Sequence, residues 1–299
     1  MINYLCSKRY SDSQILLEFK MPDKIKPTIQ KLKVMKSQGK KIRMVTAYDY
    51  PTAVLIEKTP IEMILVGDSL GMVVLGYEST VPVTVKDIIH HAKPVVKGAP
   101  NTHIVADMPF MSYHASVEDA IRNAGRLIKE TGVDSVKLEG GMDYAPVVKA
   151  IVKAGIPVVS HIGLTPQTAS SLGGFKVQGK DAQQAQELID DAVALEEAGA
   201  FAMVIECIPA PLAQMISEKL TIPTIGIGAG PYCDGQVLVT QDLLGLFDRF
   251  TPKFVKQYAE IGKMELEALN RYAEEVSSGE FPSKEHSFTM KEKELKKLK

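Results

Sequence analysis

The chain has 299 residues, 45% of them apolar and 24% charged, with 35 Lys and Arg against 36 Asp and Glu. This is the composition of an ordinary globular protein, and with no basic excess to neutralise phosphates it excludes nucleic acid as the main partner. Three cysteines without CxxC spacing (Cys6, Cys207, Cys233) exclude a disulfide framework and fit a reducing cytoplasm, and no apolar run reaches the ~20 residues of a membrane span.

Residues 1–26 read as an N-terminal extension. The opening "MINYLCSKRYSDSQ" lacks the apolar core of a signal peptide, and Met21 is an alternative start to Met1. Eight short apolar runs then follow in order. They are "IRMVTAY" (42–48), "MILVGD" (63–68), "HIVADM" (103–108), "SVKLEG" (135–140), "PVVSHI" (157–162), "AFAMVIE" (200–206), "PTIGIG" (223–228) and "GQVLVT" (235–240). Their near-continuous apolarity predicts parallel strands covered on both faces, because a strand with one wet face would alternate.

Helical patterns fill the gaps. "TVKD" (84–87) and "SVED" (116–119) read as capping boxes, Thr165 before Pro166 as a cap, and 181–200 as a long helix ended by Gly199. Eight strands, each followed by a helix, predict a single-domain (β/α)8 TIM barrel over residues 27–287, with an open doubly wound sheet as the second reading. "KEKELKKLK", closing the 288–299 tail, reads as a solvated end.

Asp68, Asp107, Glu139 and Glu206 all fall at the C-terminal ends of predicted strands. Barrel active sites are assembled at that edge, so the spacing converges four acids on one mouth. An Asp there is often the cap of the next helix, but the next capped starts lie at Thr84 and Ser116, too far on. Glu is a poor N-cap in any case. Carboxylates this close are tolerated when a cation neutralises them or one stays protonated, and for a cation the absence of a His/Cys set points to a hard ion, Mg²⁺ above all. Mg²⁺ keeps positions for substrate, and an α-keto acid fills two of them, which acidifies its neighbouring C–H.

Lys137 shares a strand face with Glu139, and its expected partner is a substrate carboxylate or Glu139 itself. His161, ending the fifth run, serves equally as a structural or a catalytic histidine, and the other five histidines read as surface or helix residues. "GIGAG" (226–230) reads as a tight loop, and "SLGGFKVQGK" (171–180) equally as a mobile lid or an irregular rigid loop.

At these residues the chain closely resembles the ketopantoate hydroxymethyltransferase family. The matching stretches include "TAYDYPTA", "VGDSLGMVVLGYEST", "ADMPFMSY", "VKLEGG", "HIGLTPQ", "GGFKVQGK", "IECIP", "IPTIGIGAG" and "EHSF", in family order over residues 27 to 287. The resemblance implies a decameric barrel, a pentamer of dimers. It also implies hydroxymethyl transfer from 5,10-methylenetetrahydrofolate to 3-methyl-2-oxobutanoate, giving 2-dehydropantoate. By resemblance Asp68 and Asp107 are Mg²⁺ ligands, Glu139 holds a metal-bound water, Ser69 and Lys137 bind the keto acid with His161 nearby, and Glu206 is the general base. Apolar neighbours such as Val204 and Ile208 would raise the Glu206 pKa. "EKTPIE" (57–62), the N-terminal extension and the Lys-rich tail depart from the family pattern.

The rival reading is a Mg²⁺-dependent C–C lyase or mutase of the phosphoenolpyruvate mutase type, which would carry a lid cysteine motif absent here. A non-catalytic barrel would have lost a ligand or the base, and none is lost.

Overall fold

The computed structural model describes residues 24–169, 174, 176–247 and 249–298. Eight parallel strands close into a barrel in sequence order. They are β1 Ile42–Thr46, β2 Met63–Val66, β3 His103–Asp107, β4 Ser135–Glu139, β5 Val158–Gly163, β6 Ala202–Glu206, β7 Thr224–Ile227 and β8 Gly235–Leu238. Each falls within or overlaps one of the eight apolar runs. β8 pairs with β1 to complete the ring, with Ile42 against Gly235.

Two cores follow from the period of two along the strands. Val45, Ile64, Ala106, Val136, Leu138 and Ile205 point outward and pack under the helices. Met44, Met63, Leu65, Val105, Val159, Val204 and Val237 point inward and fill the barrel. The inner core is closed from below by α1 (Ile29–Ser37), a helix not anticipated from sequence, whose Leu32 and Met35 join it. Thr28 caps α1 by accepting from Lys31 N–H. The predicted extension, 1–26, lies outside the described residues except for its last three. Of these, Lys24 donates to Thr102 at 2.6 Å and Lys26 pairs with Asp134 at 2.8 Å, so the segment is tied to the barrel.

The helices are α2 (Tyr50–Glu57), α3 (Leu70–Val73), α4 (Val85–Gly98), α5 (Val117–Thr131), α6 (Ala145–Lys153), α7 (Ala182–Glu197), α8 (Ala210–Lys219), α9 (Thr240–Leu243) and α10 (Ile261–Ser278), with a short α11 (Glu292–Leu295) in the tail. The box at α4 is complete: Asp87 N–H donates to Thr84 Oγ1 and Thr84 N–H to Asp87 Oδ2. At α5 it is only half made. Ser116 accepts from Asp119 N–H, but the Asp119 carboxylate takes Arg122 at 2.7 Å instead. Thr165 caps nothing through its side chain, since only a three-residue 3₁₀ turn, Pro166–Thr168, follows. Asp181 caps α7, whose last turn gives way to Gly199 at φ +104°.

One strand is not followed by a helix. β7 returns to β8 through residues 228–234 alone. Such a chain can span ~23 Å, ample for a four-residue strand. Cys233 takes the place of the missing helix: it is fully buried, and its sulfur lies 3.0 Å from where a Cβ on Gly226 would stand. That approach is the physical reason for glycine in "GIGAG". At the other end of the chain, α10 buries none of its residues, and Leu269, Tyr272 and Val276 recur on it at three- and four-residue spacing, all exposed. Among the described residues no helix is long and apolar enough to cross a membrane.

Candidate active site

The inward positions at the tops of β3 to β6 carry Asp107, Lys137, Glu139, His161 and Glu206, and the turn after β2 adds Asp68 and Ser69. All line one cavity of about 430 Å³ at the barrel mouth. The strand stagger sets their pairing: Asp107 is level with Lys137, and Glu139 with His161. Five of these side chains are nearly inaccessible, Asp68 at 4%, Asp107 at 2%, Lys137 and Glu139 at 3% and His161 at 2%. Glu206 keeps 16% of its side chain open to the cavity, so its enclosure by apolar neighbours is only partial.

Asp68 does precede a helix, contrary to the sequence reading, because α3 starts two residues later. Yet it does not cap it. Ser69 occupies the cap position and neither side chain bonds the first turn. Asp68 Oδ2 instead accepts from Gln167 Nε2 at 2.8 Å, and Oδ1 has no hydrogen-bond partner among the described residues. Ser69 Oγ lies 2.8 Å from the Tyr48 hydroxyl. Asp107 Oδ2 accepts from Asp68 N–H at 3.0 Å, and its Oδ1 forms an ion pair with Lys137 Nζ at 2.7 Å. Lys137 therefore pairs with Asp107, and the expected pairing with Glu139 is not made. Glu139 faces His161 Nδ1 at 3.4 Å while His161 Nε2 faces Glu206 at 3.2 Å, neither with hydrogen-bond alignment.

Gln167, which the sequence reading passed over, ties the cluster together. Its backbone N–H donates to Glu139 Oε2 and its Nε2 to both Asp68 and Met108 O, while its Oε1 accepts from Tyr113. The Tyr113 hydroxyl in turn accepts from Glu139 N–H. A buried amide satisfied at every polar atom is held in one orientation. Its only sequence signal was its place inside "HIGLTPQ". His103 is likewise buried rather than on the surface, between Ser135 Oγ and Pro27 O at the foot of the barrel.

The electrostatics show an unmet demand. With every group ionised, four carboxylates face one ammonium and one imidazolium, a formal excess of two negative charges that the raised Asp68 and Asp107 carboxyls resist. Burial, then Asp107 and Glu139, hold the Asp68 carboxyl well above the usual carboxylate range. Burial also raises Asp107 despite Lys137 beside it. Burial works against the Lys137 ammonium, but Asp107, Glu139 and Asp68 outweigh it and keep it charged. A buried excess of this size fits a divalent cation, with Asp68 Oδ1 as the open donor. Among the described residues no set of three His, Cys, Asp or Glu side chains forms a ready-made metal cage. Two carboxylates with room for water and substrate is the donor set of Mg²⁺, not of structural zinc.

His161 is the site's pH-dependent element. Burial lowers its pKa, but Glu139 and Glu206 prevail and push it up to about 9. With a folded pKa above the ordinary ~6.5, the imidazolium contributes stability that is complete below that value and is lost as pH rises through about 9. Thermal melts of metal-free protein should therefore fall in Tm between pH 7 and 9.5, and His161→Gln should remove that slope. Parallel slopes in both proteins would refute the assignment.

Glu206 is followed by Cys207 in the left-handed region, φ +48°. Gly163, at φ +94° beside it on β5, cannot carry a Cβ, which would fall 2.2 Å from Glu206 O. Burial and Glu206 push the Cys207 thiol up to about 12, so it is no thiolate nucleophile at neutral pH. Of the lid stretch, residues 171–173 and 175 lie outside the described residues; Lys176 and Val177 line the cavity rim.

A family model described as ketopantoate hydroxymethyltransferase matches residues 26–284. The chain belongs to the ketopantoate hydroxymethyltransferase family. It is 66% identical over 265 residues to a 3-methyl-2-oxobutanoate hydroxymethyltransferase of Heliobacterium modesticaldum, covering 89% of this chain and 96% of that relative. It is 59% identical over 268 residues to the Moorella thermoacetica protein of the same name, covering 90% and 100%. The chain is therefore a transferase enzyme. Among solved structures it shares its fold with a phosphonopyruvate hydrolase in complex with oxalate and Mg²⁺, at TM-score 0.57 and 11% identity over 86% of this chain and 92% of that one. A 2,3-dimethylmalate lyase of the PEP mutase/isocitrate lyase superfamily is similar at TM-score 0.56 and 14% identity, covering 87% and 91%. At these identities the likeness is one of barrel architecture.

Proposed function

We propose that the chain transfers a hydroxymethyl group from 5,10-methylenetetrahydrofolate to 3-methyl-2-oxobutanoate, forming 2-dehydropantoate, by way of the keto acid's enolate. The observation that carries this reading is the buried acid cluster, whose carboxylates outnumber its cationic groups, with one partly open carboxylate, Glu206, at its edge. Family membership supports it independently.

Asp68 and Asp107 would hold Mg²⁺, with Glu139 acting through a bound water. When bound there, the ion supplies Lewis-acid polarisation of the keto oxygen and so lowers the cost of losing the adjacent proton. Lys137, kept charged by its carboxylate neighbours, meets the substrate carboxylate, and Ser69, oriented by Tyr48, adds a hydroxyl. Glu206 takes the proton from C3 and the carbanion attacks the methylene carbon; that carbon's two C–N bonds to the folate break, water supplies the hydroxyl, and the protons leave on the nitrogens of tetrahydrofolate. His161 holds Glu206 on one side and Glu139 on the other, which limits the orientations of the base. The lyase or mutase reading is disfavoured by the protonated Cys207 and by family membership.

Purified protein with 3-methyl-2-oxobutanoate, methylenetetrahydrofolate and Mg²⁺ should yield 2-dehydropantoate, and its absence with and without metal would falsify the proposal. The uncovered apolar stripe of α10 supports a homo-oligomer, for which the decamer remains the expected form. Sedimentation of a monomer at micromolar concentration would remove that part.

A further inference from the structure

The acid cluster occupies only one side of the cavity. The other side is built by β8 and the segment after it, with Asp242, Phe247 and Phe254 facing inward alongside Thr80 from the loop after α3. Asp242 is half-buried in α9, and its carboxylate makes no hydrogen bond or ion pair among the described residues. Thr80 is 3% exposed, and its hydroxyl has no partner either. The buried Thr80 hydroxyl is a cost the fold gains nothing from unless a ligand meets it, and the Asp242 carboxylate beside it is an acceptor free for the same ligand.

The keto acid is the wrong ligand for this wall. It is small and anionic, and Asp242 would repel it. A flat heterocycle presenting N–H donors is complementary to both the ring faces and the carboxylate. Phe254 is seated along one edge and 37% exposed: its ring lies 2.8 Å from where a Cβ on Gly228 would stand, so the missing side chain after β7 makes room for it. Arg249 reaches Glu78, on the loop that carries Thr80, at 3.3 Å across exposed surface. At the rim stand Lys176 and Lys253, placed to meet a ligand's anionic tail.

We propose that this half of the cavity binds the one-carbon donor: its pterin head lies against Phe247 and Phe254, Asp242 accepts from the adjacent ring N–H and amino group, and Thr80 takes a further polar atom. The assignment rests on the hydroxymethyl-transfer reading above. Burial pushes the Asp242 carboxyl up to about 6, so the acceptor is charged at neutral pH and donor affinity weakens as pH falls through that value.

Asp242→Asn keeps the shape and loses one acceptor. It is expected to raise the KM for methylenetetrahydrofolate, and the Kd for tetrahydrofolate, by roughly tenfold or more, the usual scale for a hydrogen bond to a charged group. Deuterium exchange at C3 of the keto acid, which needs no folate, should stay at the wild-type rate. Phe254→Leu should weaken the same two folate constants with the same exchange intact. Unchanged folate constants in Asp242→Asn, or a loss of exchange equal to the loss of folate affinity, would overturn the assignment. A wild-type protein that exchanges deuterium but makes no 2-dehydropantoate would instead sink the underlying functional reading, so the two failures are distinguishable.

Discussion

Glu206→Gln is expected to lose deuterium exchange at C3 of 3-methyl-2-oxobutanoate by about 10²–10⁴, the range attributed to a positioned general base, while the affinity for the keto acid in the presence of Mg²⁺ changes little. Glutamine has the same shape and keeps a carbonyl oxygen toward His161, so the cluster should stay assembled. Asp68→Ala is expected to do the reverse damage. It removes a carboxylate whose Oδ1 accepts no protein hydrogen bond among the described residues, and with it the Mg²⁺-dependent part of keto-acid binding. Titration calorimetry of both variants with and without Mg²⁺, beside the exchange rate by NMR, separates the two roles. Equal loss of binding in both would show that base and metal site are not distinct.

The second large effect is on stability. Lys137→Met should cost about 3–5 kcal/mol at pH 8, the penalty for leaving the partner of a buried ion pair uncompensated. The stranded groups are Asp107, at 2.7 Å in the wild type, and its carboxylate neighbours Asp68 and Glu139. The sign with pH follows from their protonation. Carboxyls whose folded pKa is raised are destabilising when ionised, and the deficit shrinks as pH falls and they take up protons. The variant should therefore approach wild-type stability toward pH 5, and Mg²⁺ should restore part of the loss at pH 8. Denaturant melts at both pH values test this. A variant within 1 kcal/mol of wild type at pH 8 without metal would mean the ammonium compensates nothing.

The barrel was legible because its physics is local. A strand buried on both faces must be apolar along its whole length, so "HIVADM" and "SVKLEG" declare themselves without reference to any partner. A polar residue at the end of such a run can only be at an edge, which is why the sequence pattern alone places Asp107, Glu139 and Glu206 at one mouth. Alternation also put Lys137 and Glu139 on one face, as they are. The helix between β7 and β8 was expected by analogy among repeats, and it fails because Gly226 and Cys233 pack directly where a helix would lie.

Local pattern encodes the class of fold, the order of the strands and which acids reach the barrel mouth. Who meets whom there is set by register and closure. Lys137 takes Asp107 because the stagger of β3 against β4 puts those two level, while Glu139 is level with His161 one strand on. Gln167 joins Asp68 to Glu139 across 99 and 28 positions of chain, and no local pattern encodes that reach. The wall of Asp242, Phe247 and Phe254 is hidden for the same reason. Their meeting with Thr80 arises where the barrel closes β8 onto β1, bringing the end of the barrel sequence beside its beginning. Burial and periodicity are properties of a segment, whereas pairing depends on register and closure, which belong to the whole ring.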